Sequence, residues 1–105
     1  PDIFINPLYH EYYCIGNPDS PSCYGQTCLD CDEKESPYGR GWPSNDSYNS
    51  GRCEEIEGDN ECFERCLLRE GISPRPSYGL IGPGTNCQEW TDNAITKCRR
   101  QCRGK

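Results

Sequence analysis

"TNCQEWTDNAITKCRRQCRGK" (residues 85–105) places Cys98 and Cys102 at the spacing of one helix face, with Cys87 near its start. Trp90, Ala94, Ile95, Cys98 and Cys102 recur at intervals of three and four residues, so their side chains fall on one stripe. Thr85 or Asn86 opens the pattern with Gln88 or Glu89 three positions on, the capping-box spacing. Lys97, Arg99, Arg100 and Arg103 crowd the last turns, where cations complement the negative end of the helix dipole, and Gly104 ends the run. The spacing predicts a helix over 85–103. "DNECFERCLLRE" (residues 59–70) predicts a second, capped by Asp59 or Asn60 and followed by Gly71. Both helices contain Cys-x-x-x-Cys, Cys62/Cys66 and Cys98/Cys102. Antiparallel packing sets the first thiol of one against the last of the other and predicts Cys62–Cys102 and Cys66–Cys98, within the roughly 5–6 Å Cα separation a disulfide needs. Parallel packing would swap the pairs, and the antiparallel arrangement is preferred.

Composition explains why staples are needed. Leu, Ile, Val and Phe together supply 14 of 105 residues, and Val and Met are absent. A chain below about 20% in those residues rarely buries enough surface to order itself. Ordering costs roughly 1–2 kcal/mol of backbone entropy per residue. Ten cysteines offset that deficit. Such a density in a short chain marks a disulfide scaffold in an oxidising compartment, and an even count leaves none over. The expectation is that all ten are oxidised. The length suits a single domain over 1–105. Seven Tyr and two Trp read as substitutes for missing aliphatics, since aromatics bury large areas and Tyr keeps a polar handle.

Residues 1–58 are acidic and rich in turn residues. "IGNPDSPSCYGQ" (15–26) and "ESPYGRGWPSNDSYNSGR" (35–52) stack Asn-Pro, Ser-Pro, Tyr-Gly and Ser-Gly signals without a sustained period. "IFINPLYHEYYC" (3–14) offers one strand before Pro7. The expected fold is therefore small, disulfide-rich and mainly α plus loops: two bridged helices in 59–105 and a loop-rich N-terminal half with little strand, held by Cys14, Cys23, Cys28 and Cys31. "ISPRPSYGLIGPG" (72–84), with three Pro and three Gly, connects the helices in extended and turn conformations. Residues 1–64 carry a net charge of −11 and residues 65–105 one of +5. A solvated surface accounts for both. A functional reading makes Arg99, Arg100 and Arg103, with Lys97 and Lys105, a basic end for an acidic partner. Overall acidity argues against dedicated nucleic-acid binding. No apolar run approaches the roughly 18 residues of a membrane span.

Catalytic and metal signals are sparse. Cys28-x-x-Cys31 has the spacing of half a zinc site, but no second short-spaced pair completes it. Its acidic flanks would raise a thiol's pKa, against a redox role. Glu54, Glu55 and Glu57 read as a solvated acidic loop and not a calcium site. No metal or cofactor is expected. Cys87 differs, because the N-terminus of a helix lowers a thiol's pKa. A nucleophilic Cys opening a helix is the arrangement of papain-like hydrolases, and circularly permuted ones place the His earlier. His10 is the chain's one histidine, so a Cys87–His10 dyad oriented by Asn86 or Glu11 is formally possible. Two points weigh against it. A papain-like fold needs a sheet that this sequence cannot supply, and the even count gives Cys87 a disulfide partner such as Cys53.

Tyr78, Gly79 and Leu80, followed by "GTNCQEW" (residues 84–90), resemble the extreme C-termini of bacterial RHS-repeat polymorphic toxins. The resemblance covers under a third of the chain. It implies a toxin tip released by self-cleavage from an RHS shell, delivered into competitors and neutralised by a cognate immunity protein. It fixes no chemistry. The start at Pro1 fits an excised piece. The expected role is thus a secreted, monomeric effector acting in the periplasm or at the exterior of a target cell. The alternatives are a non-enzymatic disulfide-rich binding or inhibitor module and a cysteine hydrolase using Cys87 and His10.

Overall fold

Five strands of the N-terminal half pair into one antiparallel sheet, contrary to the mainly α expectation. The computed structural model describes residues 2–6, 10–16, 21–31, 36, 38–48, 52–57, 60–79 and 84–103. β1 (Asp2–Asn6) pairs with β2 (Tyr12–Gly16), and β2 pairs with β3 (Ser22–Cys28). β4 (Tyr38–Gly39) lies outside this sheet, whereas β5 (Gly41–Pro43) adds to β3 and β6 (Glu54–Glu57) adds to β1. The strand order is β5-β3-β2-β1-β6, and β4 forms a two-stranded sheet with β7 (Tyr78–Gly79). The stretch read as an acidic loop is thus the edge strand β6, where exposed Glu54 and Glu55 discourage edge-to-edge pairing.

The reason the sheet escaped sequence reading lies in β2. Tyr12, Tyr13, Cys14 and Ile15 are all buried, because both faces of the sheet are covered, so no alternation of apolar and polar residues marks the strand. Ile3, Tyr13 and Ile15 face the helices, with Ile5 and Tyr24 packed against them. Phe4, Tyr12 and Cys14 face the other way, against Cys23, Tyr48 and Cys53. Tyr and Cys supply the buried mass that aliphatics usually provide. Trp42, expected in the core, is instead 48% exposed.

α1 (Glu61–Ile72) and α2 (Cys87–Gln101) cover one face of the sheet. Asn60 caps α1 by accepting a hydrogen bond from the Phe63 N–H. The Asp59 alternative and the expected stop at Gly104 lie outside the described residues. α1 runs through Gly71 instead of ending before it, and the missing side chain there leaves room for the Tyr24 ring, which a Cβ would meet at 2.5 Å. Asn86 and Glu89 form a full capping box at the start of α2. The helices run antiparallel, and the two rungs are Cys62–Cys102 and Cys66–Cys98, with Cα separations of 5.8 and 5.5 Å. Two further bridges are Cys14–Cys23, across β2 and β3, and Cys28–Cys31. Cys53 and Cys87 stand outside the four disulfides, which corrects the expectation that all ten cysteines are oxidised and that Cys87 pairs with Cys53.

Arg75 knits the layers together. Its guanidinium donates to the carbonyls of Gly71 (3.0 Å) and Glu70 (3.4 Å) in the last turn of α1, to that of Ser73 (2.8 Å) just after it, and to Gly25 of β3 (3.1 Å). It lies 4.1 Å over the Trp90 ring of α2. Carbonyls at a helix C-terminus have no intrahelical donor, so this side chain supplies one. Trp90 in turn stacks on Tyr13, whose hydroxyl donates to the Leu67 carbonyl at 2.7 Å.

Candidate functional site

The first turn of α2 meets the residues that lead into β2. Cys87 opens the helix, and the His10 imidazole forms a hydrogen bond with its thiol. His10 Nε2 lies 2.9 Å from Asp46 Oδ1. With Nε2 committed to that carboxylate, Nδ1 is the nitrogen left for the thiol. The Asp46 side chain is only 8% exposed and accepts a hydrogen bond from Ser44 Oγ through its second oxygen. Cys87, His10 and Asp46 therefore form a chain of thiol, imidazole and carboxylate.

The electrostatics match that order. Hydrogen bonding to Asp46, then to Cys87, outweighs burial and pushes the His10 pKa up to about 10. Burial alone would push the Cys87 thiol up. Hydrogen bonds from His10 and from the backbone N–H groups of Glu11 and Gln88, with the imidazolium charge, bring it below its ordinary value. The lowered thiol beside a raised imidazole shifts the pair toward thiolate and imidazolium, the direction that favours a reactive cysteine. Burial, then a hydrogen bond with Asp92, pushes the Glu11 carboxyl up to about 8, so near neutral pH it holds a proton beside the Cys87 sulfur. Burial also raises the phenol of Tyr78 nearby.

The sequence named Cys87 and His10, and the structure brings them together. Neither proposed orienting residue fills that place. Asn86 is occupied in the capping box with Glu89, and Glu11 offers its backbone N–H to the thiol. Asp46 takes the role, from inside a turn-rich stretch whose only usable signal was that a lone functional His needs a carboxylate partner. The expectation that the sequence cannot supply a sheet is corrected by the five-stranded antiparallel sheet.

Arg99, Arg100 and Arg103 are exposed at the far end of α2, with Arg99 5.8 Å from the Phe63 ring centroid. Arg99 is twelve positions beyond Cys87, about 18 Å along the helix at 1.5 Å per residue. Lys97 is paired with Glu70 at 3.0 Å, and Lys105 lies outside the described residues. A groove of about 560 Å³ between β5 and the end of α1 is lined by residues including Arg40, Trp42, Ile72 and Arg75, and by none of the three residues above. Among the described residues no group of three or more His, Cys, Asp or Glu side chains is placed to hold a metal ion, and Cys28 and Cys31 are bonded to each other. No helix among them is long and apolar enough to cross a membrane. Four disulfides fit an oxidising compartment. Neither a family model nor a solved structure matches the chain.

Proposed function

We propose that the protein is a cysteine-dependent acyl hydrolase. The observation that carries the reading is the Cys87–His10–Asp46 alignment at the N-terminus of α2. The Cys87 thiolate attacks the carbonyl carbon of an amide or ester, forming a C–S bond. The Cys87 N–H, at the first position of α2 where helix geometry provides no intrahelical acceptor, is the donor for the oxyanion, because the Glu89 N–H is held by Asn86 in the capping box. The C–N or C–O bond then breaks, and the leaving group takes its proton from the His10 imidazolium. Water attacks the thioester with His10 accepting its proton, which releases the acid and restores the thiolate and imidazolium.

The resemblance of residues 78–80 and 84–90 to RHS-type toxin tips supports a setting for this chemistry. In that setting the hydrolase is an effector released from an RHS shell and acting in the periplasm or at the exterior of a competitor. A cognate immunity protein then answers it, and the exposed Arg99, Arg100 and Arg103 suit an acidic partner. Binding there would leave the thiol uncovered, so inhibition through that face alone would have to act at a distance. The non-enzymatic binding module gains nothing from a raised imidazole held beside a thiol of lowered pKa.

The test is hydrolysis of a panel of short peptides and acyl esters by the oxidised protein, with site-resolved alkylation by iodoacetamide at pH 6. Cys87 should react far faster than Cys53, and Cys87→Ala should abolish hydrolysis. Equal alkylation of the two thiols, or hydrolysis that survives Cys87→Ala, sinks the reading.

A further inference from the structure

Two buried polar side chains outside the catalytic trio grip the backbone on either side of it. Thr91, 0% exposed and one turn after Cys87, donates from Oγ1 to the Glu11 carbonyl at 3.1 Å. Gln26, 0% exposed on β3, donates from Nε2 to the Thr85 carbonyl at 2.6 Å. The first bond ties α2 to the residue that follows His10. The second ties the sheet to the loop that delivers Cys87. Each is long-range, with sequence separations of 80 and 59 residues, and each joins the element bearing one reacting group to the layer bearing the other.

We propose that Thr91 and Gln26 are positioning residues that set the Cys87–His10 contact. The inference rests on the hydrolase reading. Packing alone does not account for them. Val matches the shape of Thr91 without a hydroxyl to satisfy. Gln26 keeps its Oε1 buried with no hydrogen-bond partner among the described residues, a feature that needs a reason beyond filling space. Holding the Thr85 carbonyl supplies that reason. The contact they set is short-ranged, and misplacing a catalytic group by about 1 Å can cost on the order of a hundredfold in rate.

The decisive experiment measures Cys87 alkylation by iodoacetamide against pH, resolved from Cys53 by mass spectrometry, in the full oxidised chain. Thr91→Val and Gln26→Met should each slow Cys87 about tenfold at pH 7 and lower the His10 pKa, with Cys53 labelling unchanged. Thr91→Ser, which keeps the hydroxyl, should restore both. Gln26→Met also removes the unpartnered oxygen, so it should unfold no sooner than wild type, a result that separates positioning from support of the fold. If Thr91→Val does not fold, Gln26→Met decides. Wild-type reactivity in Gln26→Met and any folded Thr91→Val, with His10→Ala slow, overturns the proposal and leaves the hydrolase reading standing. Wild-type reactivity in His10→Ala removes the hydrolase reading, and the positioning role with it.

Discussion

Because His10 is the chain's one histidine, its titration can be followed without ambiguity, and the structure sets out what should move it. The imidazole is carried from 6.5 to about 10, a preference for the charged form of about 5 kcal/mol. Its side chain is 38% exposed, so solvent screening trims that figure, and a measured value above about 8 is expected. The hydrogen bond with Asp46 is the largest cause and the one with Cys87 the next, so Asp46→Asn should lower the value furthest and Cys87→Ser by less. In the double variant burial acts without either partner. Burial disfavours imidazolium, so the double variant should titrate below 6.5. The sign for stability follows. The pair's contribution is fully present below 6.5 and lost as pH rises through about 10, so Asp46→Asn should destabilise the fold more at pH 6 than at pH 10.5. Proton–nitrogen NMR of the ring from pH 4 to 11 gives the titration, and thermal unfolding at the two pH values gives the stability. Since thiol and imidazole interact, the observed steps belong to the pair. A wild-type value near 6.5, or a double variant that stays above it, refutes the reasoning.

Three further outcomes are expected. Glu11 is raised from 4.5 to about 8, so its contribution is full below 4.5 and lost as pH rises to about 8; Glu11→Gln should raise the melting temperature at pH 9 relative to wild type and do so less at pH 5. The helical rungs close nested loops of 40 and 32 residues; removing either Cys pair should cost only the closure of a ring of about eight residues, about 2.5 kcal/mol, whereas removing both should cost about 6, and additive costs near 4 and 8 in urea denaturation would count against the ladder. Charge reversal at Arg99, Arg100 and Arg103 should slow association with an acidic immunity protein more at low salt than at high salt, read by stopped-flow; equal rates for wild type and variant at both salts leave these cations only the helix-dipole role.

What the sequence disclosed follows from where each signal lives. Helix signals are local. Asn60, Asn86, Glu89 and the two Cys-x-x-x-Cys spacings lie within a turn or two of one another, so both helices and their rungs could be read from single segments. The sheet is not local in that sense. Tyr12 through Ile15 are buried on both faces, and the partners that make them a strand sit on β1 and β3. Counting aliphatics hid it further, because Tyr13 and Cys14 bury the surface that Val and Ile usually do. The site divides in the same way. Cys87 carried a helix-start signal and His10 was conspicuous as the lone histidine. Asp46, Thr91 and Gln26 matter only through bonds to residues far along the chain, and no spacing marks them.

The parity of the cysteines misled for a physical reason that the fold makes clear. An even count invites complete pairing, yet pairing depends on whether two Cβ vectors converge. Cys87 is turned toward an imidazole, and Cys53 packs on the sheet face away from the helices, beside Phe4, Tyr12 and Cys14. The bonded cysteines hold the same elements at other points. Cys98 and Cys102 fix the end of α2 opposite Cys87, and Cys14 fixes the middle of β2, beyond the residues that follow His10. The staples therefore restrain both carriers of the site without contacting the reacting atoms. In a chain this poor in aliphatics, that arrangement lets the end of the sheet near His10 stay polar. There the hydrogen bonds from His10, Glu11 and Gln88, with the imidazolium charge, lower the Cys87 thiol by more than its burial raises it.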